Sequence, residues 1–225
     1  EANSILPTEE GYYLLGLSHY KIDDPQNAKI AFETGLAINS KNEQILSVYA
    51  TTLTALGEEE NARNVYRRLV EYFPEKEIYI FKLAISLKSL KLFSESLLTF
   101  KKIDEDSFNL KSQLCMHMGD VYFEMIQYSL AEEYYEKAKN LDPNLLEAQD
   151  AKLGAKFAQA MFKGRASFDN KKYSEAITHF ANATSLSPGN FLGFLFLGKA
   201  YFENNQLEEA EENFKKSLFL EKKEK

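Results

Sequence analysis

The residues able to do chemistry are few and scattered along the chain. His19, His117 and His179 are its three histidines. None forms the His-x-x-x-His spacing that sets two imidazoles on one helix face around a metal. Cys115 is the single cysteine, which excludes an internal disulfide and a paired-cysteine zinc site. Glu132-Glu133 and Glu208-Glu209 are acidic pairs that read as solvated helix faces. No glycine-rich loop precedes a Lys-Ser/Thr pair, and no dinucleotide fingerprint appears, so no backbone cradle for phosphate is expected. Asn182-Ala183-Thr184 matches a glycosylation sequon. Without a convergent acid, base, nucleophile or metal set, the expectation is a non-enzymatic chain with no catalytic residue, no metal and no cofactor.

Composition narrows the partners. The chain has 225 residues, 44% of them hydrophobic, enough to bury a sizeable core. Five Pro and 10 Gly are too few for a disordered or linker-rich chain. The formal charge of −7 argues against a nucleic-acid surface, which needs a basic field. The acidic excess reads as a solvated surface. No apolar run approaches the roughly 18 residues of a membrane span, so no direct membrane insertion is expected. The sequence begins at Glu1, which fits either a fragment or a processed chain. A removed signal peptide would leave no trace, and both cytoplasm and periplasm stay open.

The organisation lies in a repeat. A small residue occurs at Gly16, Ala50, Ala84, Gly119, Gly164 and Gly198. Twelve residues later come Ala28, Ala62, Ser96, Ala131, Ala176 and Ala210. Four beyond those come Phe32, Tyr66, Phe100, Tyr135, Phe180 and Phe214. The start-to-start intervals are 34, 34, 35, 45 and 34. Within each half-unit apolar residues recur three and four apart, the helical period. Small residues let two helices approach closely, and the aromatic fills space between neighbouring units. Turn and cap signals separate the halves: "DDP" at 23–25, Gly57, "QYS" at 127–129, "DNKKYS" at 169–174 and "NN" at 204–205. Pro25 behind Asp24 suits a first helical turn. Pro74, Pro143 and Pro188 stop the second helices.

This pattern resembles the tetratricopeptide repeat, with its 34-residue period and two antiparallel helices per unit. Tyr12, Leu15, Gly16, Ala28 and Phe32 match it in the first unit. Tyr122, Ala131, Tyr135, Ala138 and Pro143 match in the fourth. Phe194, Leu197, Gly198, Tyr201, Ala210 and Phe214 match in the sixth. The resemblance implies an all-α fold, a right-handed α-solenoid of six helix-turn-helix repeats. The expected layout is a tail at 1–8 and one superhelical domain at 9–225, with repeats at 9–42, 43–76, 77–111, 112–145, 157–190 and 191–224. The extra segment at 146–156 has no Pro and about three helical turns. It is therefore expected to lengthen the first helix of repeat five over 144–168, either as a plain irregularity or as a protruding partner contact. Cys115 falls in an apolar slot and reads as a small core residue. Ala183 takes a buried position, which argues against glycosylation at Asn182.

The resemblance also implies a concave groove lined by positions 2, 5, 9, 12 and 13 of the first helices. These include Tyr13, Leu17 and Tyr20 in unit one, and Phe81, Ile85 and Lys88 in unit three. Unit four supplies Met116, Asp120, Phe123 and Glu124, and unit five Met161, Arg165 and Phe168. Unit six supplies Leu192, Leu195, Lys199 and Phe202. Unit two offers Gln44, Ser47, Thr51 and Thr54. Chaperone-binding members of the family clamp a terminal carboxylate. Tyr13, Leu17, Val48, Ile78 and Lys82 stand at the matching positions here, and only Lys82 could serve. The expected function is a protein-interaction scaffold that binds a protein or peptide through an apolar or amphipathic segment. Two alternatives stand beside it: a self-associating subunit of a cell-envelope or motility assembly, and a regulatory domain of a longer protein. Positions 28 and 30, as at Leu36 and Ile38, are expected to face the next repeat. In unit six these are Leu218 and Leu220, flanking Phe219. A homo-oligomer, or further chain, is expected to cover that end.

Overall fold

The computed structural model describes residues 8–224. Among the described residues there are twelve helices and no strand. The chain divides into two compact units, Glu1–Asn109 and Leu110–Lys225. The first contains α1 (Glu9–Lys21), α2 (Pro25–Ile38), α3 (Glu43–Ala55), α4 (Glu59–Tyr72), α5 (Glu77–Ser89) and α6 (Phe93–Phe100). The second contains α7 (Lys111–Glu124), α8 (Tyr128–Leu141), α9 (Leu146–Asp169), α10 (Tyr173–Leu186), α11 (Phe191–Glu203) and α12 (Leu207–Glu224). In each unit a helix packs on the next in sequence, so helices pair into repeats and repeats stack.

Each repeat is closed by the same contact. The glycine at position 8 of the first helix receives the position-24 ring of the second. A Cβ on Gly119, Gly164 or Gly198 would lie 2.6, 2.5 or 2.8 Å from Tyr135, Phe180 or Phe214. Only a residue without a Cβ admits the ring so close. Where position 8 is alanine, at Ala50 and Ala84, the methyl is fully buried. In the third repeat Ser96 adds a polar tie, its Oγ donating to the Ala84 carbonyl at 2.7 Å. The ring also reaches the next repeat: Phe32 clusters with Ile45, and Phe180 stacks on Phe196 at 5.6 Å.

The turns share one geometry that the residue types conceal. Asp23, Gly57, Lys91, Ile126, Lys171 and Asn205 all stand at position 15, and all have φ between 59° and 73°. Each is the left-handed residue that ends a first helix. The amide after it reaches back to the carbonyl five residues earlier, as Gln127 does to Tyr122 at 2.9 Å and Gln206 to Tyr201 at 2.9 Å. Start signals follow the sequence more openly. Asp24 Oδ1 accepts from the Asn27 amide at 3.2 Å with Pro25 in the first turn, and Asn42 caps α3. Helices α4, α8 and α10 end two residues before Pro74, Pro143 and Pro188.

Helix α9 runs 24 residues without a break. Its first half lies along α8, so it does not protrude as one sequence reading had it. Lys139 Nζ donates to Gln149 at 2.7 Å, Lys152 to Glu136, and Gln159 to Ser129, while Lys156 pairs with Glu132 at 3.2 Å. Glu132 is thereby a member of an interhelical rail rather than a free solvated acid. At the base of this packing Cys115 is buried with Ala138 and Ala148.

One register expectation fails. Leu36 at position 28 packs against the next repeat. Ile38 at position 30 is 48% exposed and Leu141, also at position 30, is 51% exposed. Two residues span roughly 200° of a helix, so Ile38 turns away from the neighbour that Leu36 meets, although in the second repeat Val70 and Tyr72, at the same two positions, both pack on the core.

Candidate partner-binding face

The first helices build the candidate face, each unit carrying its own part. In the first unit Tyr20 is exposed, while Tyr13, Leu17, Ile85 and Lys88 are half-buried. Tyr13 leans on the Phe32–Ile45 cluster. Phe81 is a correction: it is 5% exposed and lies 5.9 Å from Phe100 and 5.3 Å from Phe108, so it is core. The physical reason is local. The loop after α6 folds Phe108 back over α5 and takes the space a groove would need. Beside these residues a cavity of about 200 Å³ is lined by Thr51, Thr54, Tyr66, Lys82, Ile85 and Ser86. Burial raises the Glu59 carboxyl at its wall above the usual carboxylate range.

In the second unit Met116, Asp120, Phe123, Met161, Phe168 and Leu195 are half-buried, and Arg165, Lys199 and Phe202 are exposed. Asp120 already has a structural task, because its Oδ1 accepts from the Tyr135 hydroxyl at 3.1 Å. Burial, and after it the Asp120 carboxylate, drives the Tyr135 phenol upward from its ordinary value. Positions 12 and 17 stack edge to face in successive repeats, Phe123 on Tyr128 at 5.2 Å and Phe168 on Tyr173 at 5.4 Å. In the last repeat the equivalent pair is Phe202 and Leu207, 56% and 57% exposed. Leu192 is 40% exposed.

Sequence reasoning missed position 6. Phe196 occupies it and carries two cations, the Arg165 guanidinium at 5.5 Å and the Lys199 ammonium at 5.1 Å from its ring centroid. The run "FLGFLFLGKAY" signals this, since it has more apolar residues than one helix stripe can bury. Phe162, at position 6 of the preceding repeat, is 56% exposed. At the far end Leu218 and Phe219 are 57% and 59% exposed, and Leu220 is half-buried.

The histidines lie in three different repeats. His19 lies 3.3 Å from Asp24 and His117 lies 3.5 Å from Asp120, each a pair within its own repeat. His179 borders a polar cavity with Lys163 and Asn182. Among the described residues no group of three or more His, Cys, Asp or Glu is placed to hold a metal. Nor is any helix there long and apolar enough to cross a membrane.

Family profiles described as tetratricopeptide repeat match residues 9–42, 112–145, 49–76 and 167–217, between them more than half of the chain. The chain belongs to the tetratricopeptide-repeat family, whose members are protein-interaction scaffolds that bind proteins or peptides. Among curated protein sequences none matches it. Solved structures agree in fold. A tetratricopeptide protein from Parabacteroides merdae is 19% identical, with 97% of this chain and 80% of that one covered and a TM-score of 0.61. PilW, a type IV pilus biogenesis factor, is 17% identical, with 94% and 91% covered and a TM-score of 0.55. YrrB, described as having an unusual peptide-binding site, is 21% identical, with 84% and 92% covered and a TM-score of 0.51.

Proposed function

We propose that this chain holds an apolar or amphipathic segment of a partner protein along its first-helix face, and performs no chemistry on it. The observation that carries the reading is the accessibility of large apolar side chains there. Phe202 is 56% exposed and Phe162 56% exposed, although small residues and rings on the other sides of the same helices are buried. Aromatic side chains give much contact area at little rotamer cost, and Met side chains adapt their shape to a partner, which suits a peptide groove. The peptide-binding description of YrrB is in keeping with this use of the fold. The test is selection of random nonapeptides displayed on phage against the full chain. Enriched peptides should bind the parent chain and lose at least tenfold affinity on Phe202→Glu, with circular dichroism unchanged. Peptides that bind the variant equally well would move the site elsewhere.

A second reading has its own observation. Leu218 and Phe219 form an exposed apolar pair on α12, a feature that attracts a cover. Self-association through that pair is the alternative, in the manner of a structural subunit of an envelope or motility assembly. Light scattering across a concentration series decides it: a rising mass that Leu218→Glu with Phe219→Glu abolishes supports it, and a constant monomer mass excludes it.

A further inference from the structure

The cavity of about 200 Å³ formed by α3, α4 and α5 carries hydrogen-bonding capacity that the fold does not use. Ser86 is 3% exposed, and among the described residues its hydroxyl has no partner. A helical serine or threonine can donate to the carbonyl four residues back. Thr51 and Thr54, on the α3 wall, do so, to Ser47 at 3.1 Å and Ala50 at 3.2 Å. Ser86 does not, so its proton is unspent. Glu59, the first residue of α4, lines the same cavity, and its Oε2 is buried and likewise without a partner among the described residues. Burial is what lifts its carboxyl above the usual range, with no cation close enough to bring it down. Lys82 brings an ammonium from α5, while Tyr66 and Ile85 supply carbon walls. A buried donor and a buried acceptor left unpaired on one small cavity are costly. A guest that pairs with both relieves that cost.

Volume limits the guest. A free small-molecule ligand usually takes roughly 300–1,000 Å³, and a water about 30 Å³, so this cavity suits one side chain. Polarity selects among side chains. A carboxylate would meet Glu59. An ammonium would meet Lys82. A methyl or thioether would leave both polar groups unpaired. A carboxamide avoids all three faults, because it is a neutral group with a donor at one end and an acceptor at the other.

We propose that this cavity receives a glutamine side chain of the partner segment, its amide N–H donating to Glu59 Oε2 and its oxygen accepting from the Ser86 hydroxyl. Lys82 stands by as a second donor to that oxygen, rather than as a clamp for a terminal carboxylate. The proposal rests on the first-helix face being the partner face, to which Thr51, Thr54 and Ile85 belong, and it adds a residue that the partner must carry.

The probes are four fluorescein-labelled, C-terminally amidated nonapeptides of serine, leucine and phenylalanine. They differ only at the central residue, which is glutamine, glutamate, lysine or methionine. Fluorescence polarisation with the full chain should show the glutamine peptide at least tenfold tighter than the other three. Ser86→Ala with Glu59→Leu should bring the glutamine peptide down to the affinity of the methionine one. Ser86→Ala alone should leave the urea midpoint unchanged or raise it, since the hydroxyl has no contact to lose. A lower midpoint would give that hydroxyl a structural task and overturn its role as a free donor. A tighter lysine peptide would make Glu59 a cation site, and a tighter glutamate peptide would make Lys82 a carboxylate clamp; each overturns the proposal. So would a glutamine preference that survives the double variant. Equal affinity for all four peptides, lost on Phe202→Glu, would overturn the carboxamide and leave the partner face standing. Binding of none of the four would also overturn it, and the face would then stand or fall on the selected peptides alone.

Discussion

Gly119 and Ile126 show two opposite effects of single residues on the stability of a repeat. The Tyr135 ring sits where a Gly119 side chain would be. Gly119→Leu therefore overpacks the helix pair and should cost roughly 1–3 kcal/mol in urea unfolding. Glu212→Leu on exposed α12 should stay within about 0.5 kcal/mol. Ile126 is a β-branched residue held at φ 63° and 56% exposed. Its left-handed backbone costs about 1–2 kcal/mol that asparagine largely avoids. Ile126→Asn should raise stability by about 1 kcal/mol, read as a higher urea midpoint at unchanged slope. A lower midpoint would mean that the Ile side chain packs more than its exposure indicates. The position-8 and position-24 residues were legible in the sequence because their types are restricted. The left-handed position was not, since Asp, Gly, Lys, Ile, Lys and Asn share no side-chain property there. Phe81 misled for a related reason: repeat position fixes which way a residue starts, and the non-repeating loop carrying Phe108 decides whether it stays open.

Among the elements, α9 departs most from the repeat. The absence of Pro and the helical phase of residues 146–156 made its length readable. What it packs against was not readable, because the rail to α8 uses Lys, Glu, Gln and Ser, residues that look alike on any solvated face. Lys152 is only 18% exposed and pairs with Glu136; Lys156 pairs with Glu132. Individual pairs of this kind contribute about 0–1 kcal/mol each. Lys152→Ala with Lys156→Ala should therefore lower the unfolding free energy by up to about 2 kcal/mol at low salt, and by less at 0.5 M salt. It should also speed amide hydrogen exchange over the first half of α9. Unchanged exchange there would show that Ala148 and Ala155, both fully buried, hold the segment without the rail.

For the molecule as a whole, the ties between repeats set the response to acid. Glu43 is held below the ordinary carboxylate value by hydrogen bonds from Lys76 and then Tyr79. Glu58 is held down by Lys29 and then Asn61, and Glu136 by Lys152. A carboxyl lowered in the folded chain contributes stability that is fully present above its unfolded value near 4.5. That stability is lost as pH falls through the lowered value. The half-buried Glu59 carboxyl, raised by desolvation, works in the opposite sense and offsets part of the effect as pH rises. The thermal midpoint should therefore hold nearly level from pH 7 to 5 and fall below about pH 4.5. A midpoint that rises on acidification would mean that Glu59 dominates. At this scale the sequence revealed the family and the number of repeats, because those follow from periodicity. The division at Asn109 and Leu110 carries no composition signal beyond the loss of the second-helix pattern after Phe100.

Amide hydrogen exchange of the full chain, with and without a selected peptide, tests the central claim most directly. The account predicts slowed exchange in the first helices that carry exposed apolar residues, above all α9 around Met161–Phe168 and α11 around Leu195–Phe202. Helices α8, α10 and α12 should be nearly unchanged. Protection concentrated in those second helices, with α9 and α11 exchanging as before, would contradict it.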